Sequence, residues 1–370
     1  MKKYDYLIVG SGLFGSILAH ELNKAGYKVL VIEKRDHVGG NIYTKKIEGI
    51  DVHYYGAHIF HTSNKRVWDY VNSIEEFTPF INSPIANYKG ELYNLPFNMN
   101  TFIKMFDNVH SVDDAKKAIQ KEIDEANIKE IKNLEDQAIS LAGKTIFTKL
   151  IKGYTEKQWG RDSKDLPSFI IRRIPLRFTF DNNYFNDVYQ GIPRYGYTDF
   201  IENLLSKVEV RVSTDFFENE EVFKNLAKKI IYTGPLDQFF HYSLGRLSYR
   251  SIRFETKILD KKDYQGVAVM NFTDRETPYT RVIEHKHFDR FNTSDKTVIS
   301  FEYSSESGVD SEPYYPVNDE RNNSLADKYR ELAKSEPNVI FGGRLANYQY
   351  LDMDDVVELA LNLVDKLLNK

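Results

Sequence analysis

Hydrophobic positions along the chain follow several spacings, and the clearest is a set of short aliphatic runs. Such runs predict strands that are buried on both faces of a parallel sheet, and they lie at residues 6–9, 28–32, 229–234 and 338–341. Residues 208–212 alternate between apolar and polar side chains, which predicts one more strand of the same sheet. The first strand leads into a glycine-rich turn, and the last two end beside glycines.

Apolar residues recur at helical spacing between these strands. The helices predicted in this way are 13–25, 115–126, 134–141, 145–152, a helix that opens at 198–201, and 354–368. Ser111 and Asp114 form a capping box at the start of the second of these helices. The apolar period changes to two between residues 247 and 304, which predicts an antiparallel sheet with one solvent-exposed face.

The first strand runs directly into the turn Gly10-Ser11-Gly12-Leu13-Phe14-Gly15. Gly10 permits a tight turn, Gly12 lets the backbone approach a pyrophosphate, and Gly15 lets the following helix pack against the strand. The N-terminus of that helix offers free N–H groups to phosphate. Glu33 follows Gly10 by 23 residues, where a carboxylate can accept hydrogen bonds from a ribose and disfavours NADP. The whole pattern favours dinucleotide binding over a turn without a ligand.

A second glycine pair follows the acidic residue. Lys34 and Arg35 lead into Gly39 and Gly40, and Asn41 comes next. An NAD-binding fold does not require this pair. The continuation resembles the FAD proteins of the glutathione reductase and amine oxidase superfamily, in which paired glycines let the chain pass along the flavin diphosphate. The resemblance implies FAD rather than NAD.

The predicted fold class is α/β, with a Rossmann-like FAD-binding domain, an interleaved antiparallel β-sheet domain and a helical insertion. The chain has no repeat and no low-complexity linker, so the strands of the first sheet must be reached after long excursions. The predicted divisions are 1–77, 195–243 and 316–370 for the FAD-binding domain, 78–99, 150–194 and 244–315 for the sheet domain, and 100–149 for the helical domain.

Net charge, cysteine content and the length of apolar runs exclude several kinds of partner and site. The formal net charge is −4 at pH 7, so nothing indicates a nucleic-acid or membrane surface. Cysteine is absent, which excludes disulfides, thiolate metal sites, a cysteine nucleophile and a redox dithiol. The first strand begins by Tyr4 and no apolar run approaches the roughly 18 residues of a membrane helix. We therefore expect a cytoplasmic protein without a signal peptide or membrane insertion.

Two histidine pairs have spacings that metal ligands can adopt: His58 with His61, and His285 with His287. No H-E-x-x-H pattern and no cysteine accompanies them, so we predict no metal site. We expect His285 and His287 to share one face of a strand.

Nearly the whole chain closely resembles the UDP-galactopyranose mutase family, in its FAD-dependent prokaryotic form. The segments that carry the resemblance are YGAHIFHT (55–62), GYTEKQWG (153–160), RRIPLRF (172–178), FDNNYF (180–185), PYTR (278–281), EHKHF (284–288), EPYYP (312–316) and FGGRL (341–345). None is a general motif, but the set in this order is highly specific.

The resemblance implies an isomerase that interconverts UDP-galactopyranose and UDP-galactofuranose without net redox change and supplies a furanose precursor for cell-surface polysaccharide. The family mechanism has N5 of the reduced flavin attack the anomeric carbon and displace UDP, followed by ring opening to an iminium and reclosure. Because the nucleophile is on the cofactor, the absence of a protein nucleophile is no objection. A homodimer is also implied.

The resemblance carries roles to individual residues. The implied catalytic residues are Arg173, Arg281, His58 and His61, with the two arginines stabilising the departing diphosphate and Arg173 in the family's mobile loop. The implied substrate-binding residues are Asn82, Tyr154, Trp159, Arg173, Tyr184, Asn271, Arg281, Tyr315 and Tyr350. The implied cofactor-binding residues are Gly10, Gly12, Leu13, Phe14, Gly15, Glu33, Lys34, Gly39, Gly40, Asn41, His58, Ile59, Gly343, Arg344, Tyr350, Asp352 and Met353.

One departure and two alternatives stay open at this point. Leu150 and Ile151 stand where many family members have a phenylalanine pair, so a ring stacked on uracil from that position is not expected here. An FAD-dependent amine oxidase or desaturase uses the same glycine turn but has no need of two diphosphate-binding arginines. A non-catalytic binding protein on this fold, like the Rab GDP-dissociation inhibitors, fits poorly with an intact phosphate-binding turn.

Overall fold

The computed structural model describes residues 2–306 and 312–368. The strands of this part are β1 (Tyr4–Val9), β2 (Val29–Ile32), β3 (Thr44–Ile47), β4 (Ile50–His53), β5 (Phe60–Thr62), β6 (Phe77–Pro79), β7 (Ile85–Tyr88), β8 (Glu91–Asn94), β9 (Tyr189–Pro193), β10 (Glu209–Arg211), β11 (Ala227–Tyr232), β12 (Tyr249–Leu259), β13 (Val269–Phe272), β14 (Arg281–Glu284), β15 (Thr297–Glu306), β16 (Tyr315–Pro316) and β17 (Val339–Phe341).

The α-helices connect and cover these strands. They are α1 (Leu13–Lys24), α2 (Lys65–Ile74), α3 (Met99–Met105), α4 (Val112–Ala126), α5 (Leu134–Ala142), α6 (Lys144–Ile146), α7 (Gly153–Trp159), α8 (Tyr197–Leu205), α9 (Glu220–Leu226), α10 (Leu236–Phe239), α11 (Glu320–Ala333), α12 (Gly343–Ala346) and α13 (Met353–Leu367).

The predicted parallel sheet is confirmed, with strand order β10-β2-β1-β11-β17. The central strands β1, β2 and β11 carry continuous apolar runs because both faces of the sheet are covered there. Ile8, Val31 and Ile231 face a core that includes α1, α8 and α13. Leu7 and Leu30, one residue earlier in each strand, face a second core that contains Phe216, Phe223 and Phe239.

The second large sheet has the order β16-β12-β15-β14-β13-β7-β8. Its strands pair antiparallel except β13 and β7, which run parallel. The expectation of an antiparallel sheet therefore needs this correction. Strand β7 comes from a much earlier part of the chain, so no hairpin turn fixes its direction.

The helical insertion is present, and it packs around Phe102, Ile119 and Leu134. The predicted start of α4 is confirmed, because Ser111 Oγ accepts from the backbone N–H of Asp114 at 3.2 Å. The single helix predicted for residues 145–152 is wrong in detail. Helix α6 continues as a π-helical turn, Phe147–Lys152, and then as α7.

The expectation that His285 and His287 share a strand face is also wrong. Strand β14 ends at Glu284, and His285–Phe288 forms a 3₁₀ turn. His285 points into the core, whereas His287 lies 3.2 Å from Glu284 and 3.4 Å from Asp263. The turn separates the two side chains because residues two apart do not share a face in a helical turn.

The division into three domains stays a prediction. The parallel sheet draws its strands from residues 4–32, 209–232 and 339–341, and the seven-stranded sheet draws its strands from residues 85–94 and 249–316. Residues 307–311 of the proposed sheet domain lie outside the described residues. No helix of the described part is long and apolar enough to cross a membrane.

Candidate active site

A cavity of about 1470 Å³ lies between the two large sheets. The carboxyl ends of β1, β2 and β11 line one side, through Val9, Ile32 and Tyr232, and strands β13 and β14 line the other. Ligands of open parallel sheets bind beyond the carboxyl ends of the strands. The cavity therefore has the position expected for a nucleotide site.

Most residues that the sequence singled out line this cavity. They are Gly10, Gly12, Leu13, Phe14, Gly15, Glu33, Lys34, Gly39, Gly40, Asn41, His58, Ile59, His61, Asn82, Tyr154, Trp159, Tyr184, Asn271, Arg281, Tyr315, Arg344, Tyr350, Asp352 and Met353. Gly343 and Arg173 do not line it.

The glycine turn is shaped for close approach. Helix α1 begins at Leu13, and a Cβ added to Gly12 would have no atom within 4 Å, so open space lies before the helix N-terminus. A Cβ on Gly15 would lie 2.2 Å from the carbonyl oxygen of Gly10. Only glycine therefore lets this helix start so near the strand.

The second glycine pair packs against the first turn. The N–H of Gly39 donates to the carbonyl of Ser11 at 3.1 Å. A Cβ on Gly40 would lie 3.0 Å from Gly12 Cα, and Gly40 has a φ of 54°. The pair thus brings residues 39–41 alongside the phosphate-binding turn.

Glu33 is buried and holds the turn from the neighbouring strand. Its Oε2 accepts from the N–H and Oγ of Ser11 at 2.9 and 2.8 Å, and its Oε1 accepts from the N–H of Arg35 at 3.0 Å. Arg35 in turn donates to Asn41 and Glu312, each at 3.0 Å, and one of its terminal nitrogens is buried without a partner in the described structure.

Three polar residues form a row across the seven-stranded sheet. Asn271 is directly opposite Arg281, and Arg281 is directly opposite Glu302, so the three side chains share one face. Asn271 Oδ1 is buried, and no described residue is hydrogen-bonded to it. Strand register brings together residues that lie up to 31 positions apart.

The guanidinium of Arg281 is held from one side only. Its Nε donates to Tyr154 Oη at 3.1 Å and lies 3.4 Å from Glu302. Negative charge on Glu302 raises the pKa of Arg281 well above its usual value. Neither terminal nitrogen is bonded to another described residue, so both are available to an anion from the cavity.

Tyr154 and Trp159 lie at the two ends of α7. A Cβ on Gly153 would lie 2.5 Å from the carbonyl oxygen of Thr273, so this helix starts in backbone contact with the turn after β13. Lys157 Nζ donates to the carbonyls of Phe272 and Tyr279 at 2.7 and 2.9 Å. Helix α7 is thereby fastened to the hairpin that carries Arg281.

His58 presents an acceptor to the cavity. Its Nδ1 lies 2.7 Å from the carbonyl oxygen of Gly56, which can only accept, so Nδ1 carries the proton. Burial lowers the pKa of His58 to about 4, and the positive charges of Arg344 and Arg281 act in the same direction. The imidazole is therefore neutral near pH 7, with the lone pair on Nε2.

His61 is oriented differently. Its Nδ1 lies 2.8 Å from Asp187 Oδ2, and its ring stacks on Phe185 with centroids 3.7 Å apart. Ser63 Oγ donates to the other oxygen of Asp187 at 2.7 Å. The carboxylate thus fixes the position of the ring at the cavity wall.

The remaining predicted residues close the cavity. Tyr315 and Tyr350 stack with centroids 5.6 Å apart, and the guanidinium of Arg344 lies 5.9 Å from the Tyr315 ring. Burial raises the pKa of Asp352, which precedes α13. Tyr184 is half-exposed, and its N–H donates to the carbonyl of Asn82 at 2.8 Å.

Arg173 is exposed on the segment between α7 and β9. No hydrogen bond or ion pair joins it to another residue of the described ranges. Its neighbour Arg172 lines the cavity instead. Arg177 donates to the carbonyls of Asn183 and Tyr184 and so holds the loop.

Comparison with known proteins identifies the family. The family model described as GLF, UDP-galactopyranose mutase, matches residues 149–350. A probable UDP-galactopyranose mutase of Klebsiella pneumoniae is 40% identical over 373 aligned residues, which cover 100% of this chain and 96% of the relative. The chain belongs to the UDP-galactopyranose mutase family.

A second relative is named for a different substrate. The dTDP-fucopyranose mutase of Escherichia coli is 38% identical over 362 residues, with 96% of both chains covered. A crystal structure of a reduced UDP-galactopyranose mutase has the same fold, with a TM-score of 0.75 at 14% identity over 100% of this chain and 94% of that one. A model of an NAD(P)-binding Rossmann-like domain matches residues 8–74.

The protein is therefore an isomerase of the pyranose–furanose mutase family that acts on a nucleotide sugar and has a nucleotide-binding Rossmann-like domain. Full-length similarity to sugar-nucleotide mutases favours this class over the amine oxidase and non-catalytic readings of the glycine turn.

Sequence reasoning missed several residues of the mutase cavity. Arg250 lies 6.0 Å from the Trp159 ring and donates to the carbonyl of Gln158. Phe169 and Ile170 line the cavity from the segment that also carries Arg172. Alternation in β12 placed Arg250 on a strand face, but nothing local indicated which face meets α7.

Leu150 and Ile151, at the point where the sequence departs from the family pattern, are buried in the helical core and do not line the cavity.

Proposed function

We propose that this protein interconverts UDP-galactopyranose and UDP-galactofuranose, with FAD as the cofactor in its reduced form, and that it acts as a homodimer. The observation that carries the proposal is the guanidinium of Arg281, held through Nε with both terminal nitrogens free, beside Asn271 in the cavity that begins at the glycine turn. One end of the cavity suits a dinucleotide and the other a sugar diphosphate.

The residues present fit FAD. Open space at Gly12, the packing of Gly40 on that turn, and the unpartnered terminal nitrogen of Arg35 all suit a dinucleotide diphosphate and ribose. Lys34, Asn41 and Glu33 complete this end. When bound and reduced, FAD supplies the nucleophile for the anomeric carbon, as expected for an isomerase that consumes no reductant.

The protein supplies charge for the diphosphate. Two terminal nitrogens of one guanidinium match two phosphate oxygens, and the anchored Nε of Arg281 reduces the entropy lost on binding. Charge stabilisation of this kind counts most where it strengthens as the sugar–phosphate bond breaks. We assign the second positive charge to Arg173, which would reach the substrate by movement of its exposed segment.

The sugar needs acceptors for its hydroxyl groups. His58 Nε2 and Asn271 Oδ1 are acceptors without a partner in the described structure, and the side chain of Asn82 lines the same cavity. A buried acceptor left unpaired is costly, so each favours a sugar that carries a hydroxyl at that point. Galactose has one more hydroxyl than its 6-deoxy analogue fucose, which favours galactose.

The uracil needs a flat slot. Trp159 offers an aromatic face, and the guanidinium of Arg250 lies near the same ring. Tyr154 lies on the same helix as Trp159, and we assign both to the uridine. We assign Tyr184, Tyr315 and Tyr350, which line the same cavity, to contacts with the diphosphate.

A paired assay tests the proposal. Purified protein, saturated with FAD and reduced with dithionite, receives UDP-galactofuranose or dTDP-fucofuranose at equal concentration, and the pyranose products are separated by chromatography. We expect kcat/KM to favour the UDP sugar by at least about tenfold, the scale of one unpaired polar group. Oxidised protein is the control and should give no turnover.

Preference for the dTDP sugar would assign the chain to the substrate of its Escherichia coli relative and overturn the galactose proposal. Failure of the protein to bind FAD, seen as a colourless protein that cannot be reconstituted, would overturn the cofactor proposal.

A further inference from the structure

Two buried histidines lie behind the cavity wall. His53 is the last residue of β4 and His285 follows β14, and their exposed fractions are 2% and 1%. Neither lines the cavity, so neither can touch a nucleotide sugar. Their hydrogen bonds nevertheless lead to His58, which does line it.

The bonds form one continuous path. The N–H of His58 donates to His53 Nδ1 at 3.0 Å, and the N–H of His53 donates to His285 Nδ1 at 3.2 Å. His285 Nε2 lies 2.7 Å from Ser300 Oγ, which lies 2.9 Å from Thr256 Oγ1. The path thus begins in the seven-stranded sheet and ends at the cavity.

The chemistry of the path fixes both tautomers. A backbone N–H only donates, so Nδ1 of His53 and Nδ1 of His285 must both accept. In a neutral ring the proton then lies on Nε2, and in His285 this N–H donates to Ser300. His58 has the opposite tautomer, because its Nδ1 donates to the carbonyl of Gly56.

Packing supports the same arrangement. The His53 ring stacks on Phe288, with centroids 4.4 Å apart. Gly56, with a φ of 107°, passes over Phe254, since an added Cβ would lie 3.2 Å from that ring. Residues 53–58 are therefore held by the two histidines on one side and by a ring of the sheet on the other.

We propose that His53 and His285 are positioning residues that, as neutral hydrogen-bond acceptors, hold residues 53–58 and thereby aim Nε2 of His58 into the cavity. The expected effect on activity rests on the proposed mutase function. The hydrogen bonds and tautomers do not depend on that function. Burial supports it, because it lowers the pKa of His53 well below the usual value and that of His285 to about 3. A protonated ring would place an N–H against a backbone N–H.

Asparagine and glutamine variants separate positioning from packing. Asparagine places an oxygen near the position of Nδ1 and keeps an acceptor for the backbone N–H. Glutamine is closer in length to Nε2 and loses the acceptor at Nδ1. The test therefore compares His53→Asn with His53→Gln and His285→Asn with His285→Gln in the FAD-loaded, reduced protein.

We expect both asparagine variants to keep kcat per bound flavin within about threefold, and both glutamine variants to lose at least about tenfold. The Kd of UDP, measured by its effect on the flavin spectrum, should stay within about twofold in all four, because His58 faces the sugar side of the site. Equal kcat in the asparagine and glutamine variants would overturn the proposal, whatever their thermal stability.

A spectroscopic measurement does not depend on activity or on a variant that folds. ¹⁵N spectra of the wild-type holoprotein report which ring nitrogen carries the proton. We expect Nε2–H in His53 and His285 and Nδ1–H in His58. Protonation at Nδ1 of His53 or His285 would overturn the inference, whereas absence of turnover in the wild type with these tautomers intact would overturn only the proposed function.

Discussion

At the scale of single residues, the site depends on side chains that are held by one group and left free at another. Arg281 is bound through Nε to Tyr154 and Glu302 and keeps both terminal nitrogens for an anion. His58 is bound through Nδ1 and keeps Nε2. Such partial anchoring reduces the freedom a group loses on binding without using the atom that binds.

The variant Arg281→Lys separates the effect of the paired N–H donors of the guanidinium from the effect of its positive charge. Lysine keeps a positive charge beside the buried Glu302 but loses the Nε bond and the pair of terminal donors. We expect kcat/KM for the nucleotide sugar to fall by the equivalent of about 2–4 kcal/mol, as on loss of one preorganised group. Steady-state kinetics measure this.

Arg253→Lys is the matched control. Arg253 lies on the same sheet, is exposed and pairs with Glu255, so its replacement should leave kcat/KM unchanged. Near-normal kcat/KM in Arg281→Lys would contradict the proposal that both terminal nitrogens of Arg281 bind the diphosphate.

At the scale of elements, the π-helical turn and α7 are the part of the substrate side that is docked on the seven-stranded sheet. The turn Phe147–Lys152 adds one residue to the local helical period, and Thr273 Oγ1 donates to the carbonyl of Lys149 within it at 2.6 Å. Gly153 then lets the backbone of α7 contact residues 273–275. The orientation of Tyr154 and Trp159 follows from this docking.

Lys157→Met tests the docking of α7. Burial lowers the pKa of Lys157 to about 8, and its ammonium group donates to two carbonyls of the hairpin. Methionine keeps the length but leaves the carbonyls of Phe272 and Tyr279 without this donor, which should cost about 1–3 kcal/mol of folding free energy. We expect the Kd of UDP to rise about tenfold with unchanged flavin content, because only the nucleotide side loses its anchor.

Spectroscopic UDP titration and thermal unfolding provide the measurements. Lys89→Met, which removes an exposed lysine paired with Glu276 near the same hairpin, should change neither. An unchanged Kd of UDP in Lys157→Met would mean that α7 keeps its place without this contact.

At the scale of the whole molecule, buried neutral histidines connect residues 53–58 to the seven-stranded sheet, and they link stability to pH. His53, His58 and His285 have lowered pKa values, chiefly through burial. Between pH 6.5 and 5, His58 and His285 are neutral in the folded state and bind a proton on unfolding, and the lowered pKa of His53 acts in the same direction. The free energy of unfolding should therefore fall as the pH falls through this window.

The variant His285→Asn measures the contribution of His285 to the pH dependence of the free energy of unfolding. The variant keeps the acceptor for His53 but has no ring to titrate. We therefore expect the slope of unfolding free energy against pH to decrease by about 1 kcal/mol per pH unit on average between pH 6.5 and 5, approaching about 1.4 kcal/mol per pH unit near pH 5. His287, whose pKa a hydrogen bond to Glu284 raises, acts in the opposite direction in the upper part of this window. It is present in both proteins, so its contribution cancels from the difference between them.

Urea unfolding at several pH values measures the slope. His110→Asn, at an exposed position, is the control for loss of a histidine from the surface. An unchanged slope in His285→Asn would show that His285 is not neutral in the folded protein within this range.

The nucleotide half of the molecule could be predicted because its determinants are local. Gly10, Gly12, Gly15 and Glu33 act within one strand–helix–strand unit, and the steric needs of glycine follow from its own backbone. The aliphatic runs also predicted strands β11 and β17 correctly, since burial on both faces leaves a continuous apolar pattern.

The arrangement of residues in the substrate half depends on how the strands pair, which the sequence does not reveal. A period of two places Asn271, Arg281 and Glu302 on strands but does not set their register, which aligns them across three strands. The same limit explains the parallel pairing of β7 and β13 and the turn at His285, both of which the pattern missed. Resemblance to a family supplied Arg281 and Asn271 as site residues without their geometry.

The sequence by itself therefore determined the glycine turn, the buried strands and the residue types of the site, because steric freedom, burial and hydrogen-bonding capacity belong to each residue and its neighbours in the chain. Only the tertiary structure decided which groups stay free to act. Arg281 is free at its terminal nitrogens and His58 at Nε2 because Tyr154, Glu302, Gly56 and His53 occupy their other atoms, and contacts across such sequence distances exist only once the sheets have formed.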